Sequence, residues 1–142
     1  MPEQVRPRQA GPIPLSGVPV EYLDPTAIEE LREIKDNPEF LHAVVADGIA
    51  DIHALHQTMA DAIDGSDLPG LHKQAHAMKG VALSLGAVRL AHLADRMMTM
   101  THDTLTGSAA RWHEDLDVCV AKSCQSLDDL RLALATESAV NH

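Results

Sequence analysis

His76, Lys79 and Gly80 stand at i, i+3 and i+4 within AHAMKGVALSLGA, residues 75–87. On a helix, Lys79 and Gly80 both lie within ~60° of His76, and His72 and Leu83 share that face. Leu71, Met78, Ala82 and Leu85 fall within ~60° of the opposite direction, so His76 points away from the core its own helix builds. These residue types suit phosphoryl chemistry. A neutral imidazole nitrogen is a good nucleophile towards phosphorus, and histidine titrates close enough to neutral pH to supply that form. A phosphorylated imidazole carries a dianionic group that a nearby ammonium can stabilise as a compact point charge. Glycine in mid-helix costs ~1 kcal/mol relative to alanine, and its missing side chain leaves room for a partner to approach. Spacing alone leaves the plainer alternative open: a solvated histidine, a surface lysine and a packing glycine.

Other chemistry finds less support. His72 and His76 at i, i+4 are spaced to grip a metal from one helix face, and His53 and His56 form an i, i+3 pair. No H-E-x-x-H occurs and no cysteine stands at ligand spacing to either pair, so solvated histidines and no bound metal are expected. Cys119 and Cys124 would point ~140° apart on one helix, which forbids a mutual disulfide. Ser84 follows neither a nucleophile elbow nor a Gly-rich turn, so serine or cysteine catalysis has no support.

The elements that must position His76 read as helices. The chain has 142 residues, enough for one domain. Apolar residues make up 45% of it, yet Phe, Trp and Tyr occur once each; the rest are mostly Ala, Leu, Val, Ile and Met, of which Ala, Leu and Met are good helix formers. Five of the eight prolines lie in residues 1–22, which read as a disordered tail or linker. Asp24 with Pro25, and Asn37 with Pro38, are cap-and-first-turn devices opening helices near 25–35 and from 38 to about Ile63. The apolar side of the second is read as Phe40, Val44, Val45, Ile49, Ile52, Leu55, Met59 and Ile63, with Asp64, Gly65 and Ser66 as the break. A third helix spans roughly 68–85, with Leu71, Ala75, Met78, Ala82 and Leu85 as a seam. Gly86 bends the chain. A fourth helix is predicted from about Ala87 to Thr104, with Leu90, Leu93, Ala94, Met97 and Thr101 inward. Gly107 ends it, and Ser108 caps a last helix to about Ala135, with Trp112, Leu116, Cys119, Val120, Leu127, Leu130 and Leu134 inward. Residues 138–142 are expected to be disordered. The pattern is all-α: an antiparallel four-helix bundle with a short additional N-terminal helix, the bundle occupying 23–137.

The net charge of −10 repels nucleic-acid phosphates and anionic lipid. No run approaches the ~18 apolar residues of a membrane span, and no signal-peptide pattern opens the chain. A soluble, cytoplasmic monomer without nucleic-acid partner or membrane insertion is expected.

The stretch 75–87 resembles the signature of histidine-containing phosphotransfer (HPt) domains. In that family a histidine is followed by Lys at i+3 and Gly at i+4, then by a small or polar residue and Gly-Ala near the helix end. Here these are His76, Lys79, Gly80, Ser84, Gly86 and Ala87. The following RLAHLADRMM resembles the family's next helix, which often ends in Leu-Glu. Met97 and Met98 stand there instead, a departure read as structural because that Glu lies away from the phosphorylated histidine. The bundle matches the family over about residues 24–135. KGVA, LGAVRL and MMTM further resemble modules at the C-terminus of bacterial hybrid sensor kinases, including those of fatty-acid quorum sensing, and the Pro-rich lead-in suits a domain attached to something larger.

The resemblance implies a relay rather than an enzyme. His76 is the implied phospho-acceptor and the only reacting group, and Lys79 the phosphate-stabilising cation. Gly80, His72 and Leu83 would form the access and docking face. A response-regulator receiver domain would supply the aspartate and Mg²⁺, so no cofactor is implied on this chain. A kinase would need a nucleotide-binding domain, and no Gly-rich ATP-binding pattern is present. The competing reading is an interaction module that kept the bundle and lost phosphotransfer. The intact His76, Lys79 and Gly80 weigh against it.

Overall fold

The computed structural model describes residues 22–35 and 37–140, and these form helices joined by short connections, with no strand among them. The expected tail or linker over 1–22 lies outside the described residues except for Tyr22. The helices are α1 (Pro25–Lys35), α2 (Pro38–Asp64), α3 (Leu68–Ser84), α4 (Val88–Met98), α5 (His102–Gly107) and α6 (Ala109–Val140).

Local chemistry sets the ends. Asp24 Oδ1 accepts from the Thr26 amide at 3.1 Å, just before Pro25 opens α1. Asn37, in extended backbone, accepts from the Glu39 and Phe40 amides at 2.9 and 3.1 Å and opens α2 ahead of Pro38. Asp67 accepts from the Gly70 amide at 3.0 Å and opens α3. Two ends close with the same crossed pair of bonds. After α2, Asp67 N–H donates to Ala62 O and Ser66 N–H to Ile63 O; after α3, Ala87 N–H donates to Ala82 O and Gly86 N–H to Leu83 O. The pivot residue of each turn is left-handed, Ser66 with φ 51° and Gly86 with φ 73°.

α2 packs against α3 and α6, and α4 against α3 and α6, which closes a ring of four helices, as expected. α1 lies across one end, where Leu23 and Ile28 are buried and the Asp24 amide donates to the Gly86 carbonyl at 2.8 Å. The ring encloses Val45, Ile52, Met59, Leu71, Ala75, Met78, Leu90, Met97, Leu116 and Leu127. Polar ties join α2 to the antiparallel α6. His56 Nε2 bonds Asp117 Oδ1, and His113 Nε2 bonds Asp64 Oδ1, each at 2.7 Å. The Arg96 guanidinium stacks over Trp112 of α6 at 5.1 Å from the ring centroid.

Three expectations need correction. The fourth helix is broken at Thr99–Thr101 and resumes as α5. Thr101 turns outward and caps the new helix, its Oγ1 accepting from the Thr104 amide at 3.2 Å; hydroxyl side chains that bond nearby backbone favour such interruptions. Phe40 is 52% exposed, and its neighbour Leu41 is buried instead. The last helix also runs beyond its expected end, since no glycine or proline lies between Ala135 and Val140 to stop it. Among the described residues no helix is long and apolar enough to cross a membrane.

Candidate functional site

The outer face of α3 carries the residues singled out above. Its inner face, Leu71, Ala75, Met78 and Ala82, is fully buried, so the helix cannot rotate without exposing its seam. That locks His76 outward, where its side chain is exposed. Among the described residues the His76 ring has no hydrogen-bond or ion-pair partner.

Two polar ties, one to the next helix and one to the chain just after it, bracket His76. One turn before it, His72 Nε2 donates to the Met100 carbonyl at 2.9 Å, and the ring is half-buried. One turn after it, Lys79 Nζ donates to Asp95 Oδ1 at 2.8 Å. Both pairs centre on residues 86–87, the turn between α3 and α4, as the register of an antiparallel helical hairpin requires. The Lys79 ammonium, by its hydrogen bond and its charge, holds the Asp95 carboxyl below the usual carboxylate range. His72, expected to contribute to a docking face, thus also fastens α3 to the chain after α4.

Gly80 opens the other side. A Cβ built there would meet nothing within 4 Å, so no packing excludes a side chain. Leu83, one turn further, is 56% exposed, a large apolar side chain on the same face. Ser84 is turned into its own helix, its Oγ donating to the Val81 carbonyl at 2.8 Å. On the far side of α3, Thr58 Oγ1 donates to Gln74 Oε1 at 3.3 Å and ties α2 to α3. Met97 is in the core and Met98 is half-buried against it.

The arrangement is a protruding nucleophile with a gap on one side and an ammonium on the other. It supplies neither a general base nor a set of acidic ligands. Among the described residues no three His, Cys, Asp or Glu side chains are grouped to hold a metal ion, and His56 Nε2 is already engaged with Asp117. The residue that sequence reasoning missed is Asp95. Only the hairpin register reveals it, because it lies 16 residues from Lys79 in the chain.

A family model described as the Hpt domain matches residues 43–139. Neither the curated proteins nor the solved structures gave a match.

Proposed function

Since the chain belongs to the Hpt domain family, whose members serve histidine phosphotransfer in two-component signalling, we propose that it is a phosphorelay intermediate carrying its phosphoryl group on His76. Hpt domains are relay modules rather than classical enzymes. The partner in this reading is a response-regulator receiver domain, which brings a phosphorylated aspartate and Mg²⁺. A ring nitrogen of His76 attacks phosphorus as the bond from phosphorus to the aspartate oxygen breaks. The bonding pair leaves on the carboxylate, and the imidazolium proton passes to solvent. In the reverse direction the carboxylate attacks and the ring nitrogen takes back its electron pair. The stabilisation of charge in transit comes chiefly from the receiver and its metal.

The observation that carries this reading is the exposed imidazole of His76, without a partner among the described residues, beside the open space they leave at Gly80. In-line transfer needs the donor within a few ångströms of the ring, and among the described residues nothing lies within 4 Å of a Cβ built at Gly80. Lys79, one turn along, supplies a cation for the phosphoryl oxygens. A relay meeting soluble receivers would work in the cytoplasm, free or joined to a hybrid sensor kinase.

The test is to incubate the protein with phosphorylated receivers and follow the label. It should be acid-labile and alkali-stable, as a phosphoramidate is. His76→Gln should keep the helical circular dichroism and take no label. Full labelling of that variant would move the site elsewhere, with His72 the next candidate.

A further inference from the structure

We propose that Asp95 is a positioning residue: by holding the Lys79 ammonium it sets how strongly His76 retains its phosphoryl group. The inference rests on the reading of His76 as the phospho-acceptor.

Lys79 is one turn from His76 and within ~60° of it on the helix wheel, so its flexible stem can swing the ammonium to a group on the ring. In the unphosphorylated protein that ammonium is committed elsewhere, 2.8 Å from Asp95 Oδ1 across the hairpin. The pair is only partly shielded, with side chains 35% and 57% exposed, so it can exchange partners readily. A phosphoryl group on His76 and the Asp95 carboxylate are therefore rivals for one cation. On α4, His92, one turn before Asp95, also lowers the carboxyl, and its influence is the smallest of those acting there. Asp95, like any exposed carboxylate, is ionised at neutral pH, and Lys79 holds its carboxyl lower still, so the rivalry is present under working conditions.

Two effects follow. Phosphorylated His76 gains less from Lys79 than it would beside a free lysine, so the phosphoryl group sits at a higher transfer potential and moves on more readily to an aspartate. Phosphorylation also loosens the Lys79–Asp95 tie between α3 and α4, so the two states of the domain differ on the face a receiver meets.

The experiment brings the full chain to phosphoryl-transfer equilibrium with a receiver that labels it and measures the fraction on each partner. Asp95→Asn should shift the equilibrium towards phosphohistidine about three- to five-fold, the scale of an exposed ion pair. Asp95→Glu should restore the wild-type ratio. In a Lys79→Ala background the effect of Asp95→Asn should fall to half or less. Thermal melting of each variant separates this from a fold effect, because a merely structural tie would move the melt and leave the equilibrium alone. An unchanged equilibrium in Asp95→Asn overturns the proposal. So does an equal shift in both backgrounds, which would make Asp95 act through its own charge. If the wild-type protein takes no label on His76, the functional reading falls and this inference falls with it; labelling with an unmoved equilibrium sinks this inference alone.

Discussion

Ser66 and Gly86 occupy equivalent positions in two helix-ending turns, each left-handed and each at the pivot of the same crossed pair of hydrogen bonds. Only glycine adopts that backbone without steric cost. Ser66 is exposed and therefore replaceable. Ser66→Gly should stabilise the domain by about 0.5–1 kcal/mol. Gly86→Ala should do the opposite and by more. Besides the left-handed φ, its Cβ would sit 3.2 Å from Ala27 Cβ and 3.3 Å from Ile28 Cδ1. Urea melts of the two variants check both signs, and a loss of stability in Ser66→Gly would contradict the account.

Gly80→Gln should separate fold from function. Among the described residues nothing lies within 4 Å of the new Cβ, and any residue that is not glycine or proline favours the helix by up to ~1 kcal/mol. The variant should melt at or above the wild-type temperature yet accept phosphate from a receiver much more slowly. Leu83→Glu, on the same face, should weaken receiver binding. Normal transfer by a folded Gly80→Gln protein would mean that the receiver approaches His76 from another side.

His72→Ala removes the donor to the Met100 carbonyl, in a partly buried setting. Leaving that carbonyl unsatisfied should cost about 1–3 kcal/mol. The change should also raise amide exchange around Thr99–Thr101, where the chain lacks helical bonds. A melt unchanged from wild type would reduce His72 to an ordinary surface residue.

The thiols give a pH dependence. Burial, with Asp128 and Cys119 adding to it, pushes Cys124 up to about 11 from the ordinary 9.0 of a thiol. Burial raises Cys119 as well, against a hydrogen bond from Ser123 that lowers it. The folded chain thus keeps these protons to higher pH than the unfolded chain does. The contribution of Cys124 to stability is fully present below pH 9 and lost as pH rises towards 11, and that of Cys119 has the same sign. Denaturant midpoints should fall across that window, less steeply in Cys124→Ala. At neutral pH both thiols should react slowly with iodoacetamide, since the thiolate is the nucleophile.

What could be read from the chain was what depends on near neighbours. The caps at Asp24 and Asn37, the break at Gly65 and Ser66, and the outward direction of His76 all follow from local bonding and a 3.6-residue period. What could not be read depends on how helices meet. Asp95 is one charged residue among many until the hairpin register sets it opposite Lys79. The place of Gly48 is likewise set by packing: it is buried in α2 where a Cβ would run into the Leu85 side chain. Ser123 and Ser126 are buried in α6, in the stretch between Val120 and Leu127 where the apolar pattern names no inward residue. The break at Thr99–Thr101 went unseen because the apolar spacing continues through Met97 while the backbone departs.

The single tryptophan of the chain gives it a built-in optical reporter. Trp112 is 8% exposed on α6, under the Arg96 guanidinium of α4. Its emission is therefore sensitive to the separation of those two helices and to solvent entry between them. His76 lies on α3 and faces outward, so a receiver lacking tryptophan could dock there with little direct effect on the indole. Any change in Trp112 fluorescence during phosphorylation would then measure a displacement carried through α4, with no label attached to the protein.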